Sequence, residues 1–163
     1  MNSIFNRKRF TWMIYFLGCF LFVPVAAAEV YIIVNTTIPV SALSKNELRD
    51  IYIGKRTIWN GNLKIVPVIA PSLSLHDEFV LKYTRKSSSQ FKIWWLKLVF
   101  SGEGAFPKTA SSEKEMIEKV SENEGAIGYV SSEINTDRVK TIVIYDKDEM
   151  IKTFEKSKGT DNE

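Results

Sequence analysis

The sequence predicts an α/β layer fold: one compact domain with a mostly parallel or mixed sheet flanked by helices. Three observations carry this expectation. Short apolar runs at residues 30–34 and 126–130 read as strands, the first with the composition of a strand buried on both faces. Four Ser-x-x-(Glu/Gln/Asp) starts, at Ser44, Ser74, Ser87 and Ser112, open segments with helical signatures. The segments follow as strand, helix, strand, three helices, strand, strand, an alternation that favours helices layered on a sheet.

Residues 30–34 (Val-Tyr-Ile-Ile-Val) read as the first strand. Ser44 and Glu47 form a capping box before Leu48, Ile51 and Tyr52, which are spaced three and four apart, and Gly54 ends that helix. Residues 55–62 form a loop turning at Asn60-Gly61. Residues 63–69 read as a second strand. Pro67 cannot donate to a ladder, so this strand lies at an edge or breaks there. Ser74 caps a helix to about Tyr83, and Ser87 caps another carrying Phe91, Trp94, Trp95, Leu98 and Val99 on one wide face. Gly102 and Gly104 close it. Ser112 caps a fourth helix with Met116, Ile117 and Val120 inside, closed by Gly125. Strands at 126–130 and 139–145 complete the domain.

The chain has 163 residues, enough for one domain, with 22 basic and 19 acidic side chains. Arg7, Lys8 and Arg9 are the only charges among the first 28 residues. Beyond them 19 basic groups face 19 acidic ones, so no strong footprint for nucleic acid remains. The same 28 residues have the three parts of a secretory signal: a basic head, an apolar run, and Ala26-Ala27-Ala28 before Glu29. Cleavage after Ala28 would release a periplasmic domain at 29–154 with a polar tail at 155–163. Retention as an anchor and lipidation at Cys19 are the two competing fates. Cys19 is the one cysteine, so the rest of the chain has no disulfide, thiol nucleophile or thiolate metal site.

Several stretches together resemble the phosphate-binding proteins of ABC importers, within the type II periplasmic binding-protein superfamily. They are Pro39-Val40-Ser41-x-Leu43-Ser44, Ile51-Tyr52-x-Gly54-Lys55 with Trp59 and Gly61, Ile65-Val66-Pro67-Val68, Phe100-Ser101-Gly102, and Gly125-Ala126-Ile127-Gly128-Tyr129-Val130. The resemblance covers roughly residues 30–145 and implies a single, short lobe of that fold. The family's phosphate loop carries an Arg followed by Ser-Gly-Thr ahead of a helix with a Phe. Here residues 70–79 keep Phe79 and the serines but lack the Arg, the Gly and the Thr. The missing Arg removes a bidentate, charge-assisted partner for phosphate.

The resemblance implies an exported, non-enzymatic solute-binding protein for phosphate or another small oxyanion. Ser72 and Ser74 precede or open a helix, where N–H groups and hydroxyls can receive an anion. Asn35 and Thr36 follow the first strand and are expected to complete the same crevice. Turn chemistry and helix capping are the plain alternatives for all four. His76, the one histidine, is expected on the solvated surface beside Asp77 and Glu78. No cofactor or metal is implied. No Gly-x-Ser-x-Gly, His-Glu-x-x-His, Walker or Gly-x-Gly-x-x-Gly motif is present, so no hydrolase or nucleotide signature stands out. The partners implied are an ABC transporter membrane component or an envelope sensor, and adjacent Trp94 and Trp95 suggest a homodimer or docking contact. The alternative function is an envelope interaction module that kept the fold and lost high-affinity ligand binding.

Overall fold

The computed structural model describes residues 29–150 apart from 135 and 149. The expected signal at 1–28 and the tail at 155–163 lie outside the described residues. Six strands form one sheet: β1 (Tyr31–Asn35), β2 (Ala42–Ser44), β3 (Val66–Ile69), β4 (Lys108–Thr109), β5 (Ala126–Val130) and β6 (Val139–Tyr145). The helices packed with them among the described residues are α1 (Lys45–Tyr52), α2 (Ser74–Thr84), α3 (Ser88–Phe100) and α4 (Glu113–Glu122).

The strand order is β2-β6-β1-β5-β3-β4. β1 pairs antiparallel with both neighbours, with Ile33 opposite Gly128 on one side and Thr141 on the other. The remaining pairs, β2 with β6, β5 with β3 and β3 with β4, are parallel. One central strand therefore runs against the other five, and the sheet is mixed. The carboxyl ends of β2 to β6 share one rim, and the carboxyl end of β1 lies at the opposite rim. Pro67 sits inside the sheet, but β4 pairs only with Val68 and Ile69, so the ladder on that side begins after the proline.

Side chains alternate across β5, which fixes the two covering layers. Gly128 faces α4, where an added Cβ would stand 2.5 Å from Met116 Sδ and 2.9 Å from Val120 Cγ2. Tyr129 faces the other layer, its ring stacked on Phe79 of α2 at 4.0 Å, with Tyr52 of α1 edge-on to Phe79 at 4.5 Å. Ile33, Val34, Val68, Phe79, Met116 and Ile127 are fully buried between these layers.

The capping boxes of α1 and α3 form as expected: Glu47 N donates to Ser44 Oγ and Gln90 N to Ser87 Oγ, with the reciprocal bonds present. Glu47's carboxyl is held below its ordinary range, first by the Ser44 backbone bond. Helix α2 departs from expectation. Its N-cap is Leu73, Ser74 is already helical, and no side chain caps it. Trp94 and Trp95 are both tied inward, their indole N–H groups donating to Ile53 O at 3.0 Å and Tyr52 O at 2.9 Å. Trp95 is buried, and Trp94 keeps part of its surface exposed. Leu81, Ile93 and Phe100 are the most exposed of the large apolar side chains on these helices.

Candidate solute-binding site

Besides α1, whose start is closed by the Ser44 capping box, two helices start at the rim where β2 to β6 end, and their N-termini differ. α4 follows β4 and is already occupied. Ser112 Oγ accepts from Glu115 N, the N–H and hydroxyl of Ser111 both donate to Glu115 Oε2, and Ser131 N donates to Glu113 Oε1 at 2.9 Å. Lys119, then Ser111, hold the Glu115 carboxyl down to about 2, so this end carries negative charge. An anion is not expected there.

α2 follows β3 through a turn in which Leu73 N donates to Ala70 O. Pro71, Ser72 and Leu73 make the turn, and Ser74 opens the helix. The Leu73 carbonyl accepts from His76 N at 3.0 Å. With no side-chain cap, the first N–H groups of α2 point out of the helix end beside the Ser72 and Ser74 hydroxyls. Asp77, in the same first turn, accepts a hydrogen bond from the Ser88 hydroxyl of α3.

The turn is anchored from below by a buried polar chain. Ala70 N donates to Tyr129 Oη at 2.8 Å, and Tyr129 Oη lies 2.6 Å from His76 Nδ1. Tyr129 has one hydroxyl hydrogen, and Ala70 already uses an oxygen lone pair. Every group is satisfied when Tyr129 donates to His76 Nδ1 and the imidazole carries its hydrogen on Nε2. His76 is only 3% exposed, so the expectation of a solvated histidine is wrong: α2 turns it inward against Phe91, at 5.8 Å between ring centroids. Burial lowers its pKa, with Asp77 opposing, and burial raises that of Tyr129. His76 also lines a cavity of about 370 Å³ with Ile69, Pro71, Phe91, Lys92 and Phe106, open beside the start of α2.

The crevice expected from Asn35, Thr36, Ser72 and Ser74 does not form. Asn35 ends β1 opposite Val139, the first residue of β6, whereas Ser72 follows the carboxyl end of β3. The antiparallel setting of β1 puts the two loops at opposite rims. Asn35 is buried and fully engaged. Its amide donates to Val120 O at 3.0 Å and Ser121 O at 2.9 Å, and its carbonyl accepts from the N–H and hydroxyl of Thr37. It joins the end of α4 to the end of β1. Thr36 is an exposed turn residue beside it. Ser72 and Ser74 remain together at the α2 start.

Sequence reasoning missed Tyr129 and His76 as the support of the turn. Tyr129 lies in the Gly-Ala-Ile-Gly-Tyr-Val run, but its partner is 53 residues away, and no local pattern marks that contact. Among the described residues, no group of three or more His, Cys, Asp or Glu side chains could hold a metal ion. No helix among them is long and apolar enough to cross a membrane.

Solved structures share this architecture. A protein from Clostridium perfringens, titled a phosphate ABC transporter substrate-binding protein with bound phosphate, superimposes with TM-score 0.57 at 22% identity. The match covers 71% of this chain and 44% of that one. PstS from Borrelia burgdorferi superimposes with TM-score 0.54 at 16% identity, covering 76% of this chain and 51% of its own. The chain thus spans about half the length of these structures, or less, and at such identity the likeness is one of fold. No curated protein matches the sequence. The family model described as "PBP superfamily domain" matches residues 17–159, most of the chain. The protein belongs to the PBP superfamily.

Proposed function

We propose that the protein is an exported, non-enzymatic solute-binding protein that receives phosphate or another small oxyanion at Ser72 and Ser74. The observation that carries this reading is the uncapped start of α2 at the carboxyl ends of the strands. Helix N-termini there present N–H donors and the positive end of the dipole, and the two hydroxyls add donors. The occupied start of α4 makes α2 the end of choice. The phosphate bound to the Clostridium perfringens protein supports the ligand class. On this reading residues 1–28 act as a signal cleaved after Ala28, and the partner is an ABC transporter membrane component. N-terminal sequencing of the exported protein tests the first point; a start at Met1 or Cys19 contradicts it.

A thermal-shift titration of the full chain with phosphate, sulfate and other small anions at constant ionic strength tests binding. Ligand at a hundredfold excess over its Kd adds about 2.7 kcal/mol. A saturable, selective shift that becomes smaller in Ser72→Ala/Ser74→Ala is expected.

A second reading, the envelope interaction module, is favoured by one observation. Ile93, Leu96 and Phe100 sit three and four apart on α3, exposed by 53%, 39% and 86%. Such an apolar stripe suits a partner helix or a second copy of the chain. No shift with any anion, together with concentration-dependent dimerisation lost in Phe100→Ser, would favour this reading.

A further inference from the structure

A basic cavity lies between α1, the last turn of α2 and the segment after β6. Its volume is about 100 Å³, and it is lined by Lys45, Arg49, Lys82, Arg85 and Lys147, with Asp146 and Asp148 as its carboxylates. Five cations against two anions converge in a molecule whose charges beyond residue 28 balance overall. Of the five, the ion pairs found among the described residues on this side use only Lys45, which meets Asp146 at 2.9 Å. Glu47, two residues before Arg49 on α1, is taken by Arg56 at 3.0 Å and by the Ser44 cap.

The second, independent observation is Arg49 itself. Its Nε is buried and has no hydrogen-bond partner. A buried guanidinium N–H without an acceptor carries an uncompensated desolvation cost, and like charges around it add repulsion. One bound acceptor of opposite charge relieves both.

We infer that this cavity binds a phosphate group, with Arg49 as the central donor and Arg85, Lys82 and Lys147 supplying charge around it. A guanidinium offers the planar fork that phosphate oxygens accept from bidentately, and lysines act as point charges. The cavity has room for a single tetrahedral oxyanion rather than a large organic molecule. The phosphate can be free or the headgroup of an anionic lipid, since the chemistry is shared. This site is separate from the α2 start. It does not rest on the function proposed above.

The test measures binding of inorganic phosphate to the full chain by titration calorimetry at constant ionic strength. Vesicles of phosphatidylglycerol, with phosphatidylcholine as control, form a second arm. Wild type, Arg49→Gln and Ser72→Ala/Ser74→Ala are compared. The expected result is a saturable phosphate interaction weakened at least tenfold in Arg49→Gln and retained in Ser72→Ala/Ser74→Ala. Binding to phosphatidylglycerol vesicles with the same Arg49 dependence, and none to inorganic phosphate, identifies the lipid as the source. Arg49→Met adds a readout independent of affinity: it should melt at or above wild type without phosphate and below it at saturating phosphate. Binding in neither arm, an interaction indifferent to Arg49→Gln, or an Arg49→Met variant that melts lower in both conditions overturns the inference.

Discussion

Changing Tyr129 to Phe tests how the candidate site is held in place. The substitution keeps the ring stacked on Phe79 at 4.0 Å and removes one oxygen. That oxygen accepts from Ala70 N and meets His76 Nδ1, and Ala70 is fully buried. Ala70 N loses its partner where it is fully buried, and His76 Nδ1 loses its partner beside the cavity at the start of α2. Each buried group left unsatisfied costs about 1–3 kcal/mol, giving at most about 2–6 kcal/mol in all. For a domain of this size, roughly 4 °C per kcal/mol makes the melting temperature lower by up to about 8–24 °C. Thermal unfolding followed by circular dichroism at pH 7.5 measures it. A double-mutant cycle with His76→Phe separates the pair from the Ala70 bond, because adding His76→Phe to Tyr129→Phe should recover part of the loss. A Tyr129→Phe loss below about 0.5 kcal/mol would refute the reasoning that this oxygen is the structural hub of the turn.

Four further outcomes follow from the same geometry. Burial lowers the His76 pKa, so as pH falls the unfolded chain takes up the proton first. His76's contribution to stability is therefore full above about pH 6.5 and is lost below it. In His76→Gln the melting temperature should lose that part of its fall between pH 7.5 and pH 5, and an unchanged slope contradicts this. Asn35→Ala should cost about 2–4 kcal/mol in denaturant unfolding, since it breaks the bonds to Val120 and Ser121 and frees the Thr37 pair, while leaving anion affinity untouched. Gly125→Ala places a Cβ 1.9 Å from the Lys64 carbonyl oxygen and should destabilise more than Gly128→Ala, whose clash is with the flexible Met116 side chain; the order of their melting temperatures checks this. Ser87→Ala removes the cap of α3 and should cost about 1 kcal/mol with the sheet intact.

The parts of the fold legible in the sequence were those fixed by neighbours in the chain. The capping boxes at Ser44 and Ser87 depend on residues three apart, and both formed. Strands at 30–34, 126–130 and 139–145 were marked by their own apolar runs. The direction of β1 was not legible, because it depends on pairing with β5 and β6, about 100 residues later. That direction alone decided that Asn35 and Ser72 face opposite rims. β4 has two residues, too few to leave a pattern, yet it makes α4 start at the same rim as α2. Ser74 carried a capping signature, but Leu73 took the cap position, and this shift of one residue left the helix end open. His76 looked solvated because its neighbours in sequence are acidic. Its burial follows from Tyr129 and Phe91, which only the folded chain brings to it.

The central claim, that an oxyanion is received at the start of α2, is tested most directly by following the backbone amide resonances of Ser74 and Leu75 during a phosphate titration. The account predicts that both amides move saturably, and that the movement becomes smaller in Ser72→Ala/Ser74→Ala. Amides at the α2 start that stay fixed at phosphate concentrations which saturate binding elsewhere on the molecule would contradict it.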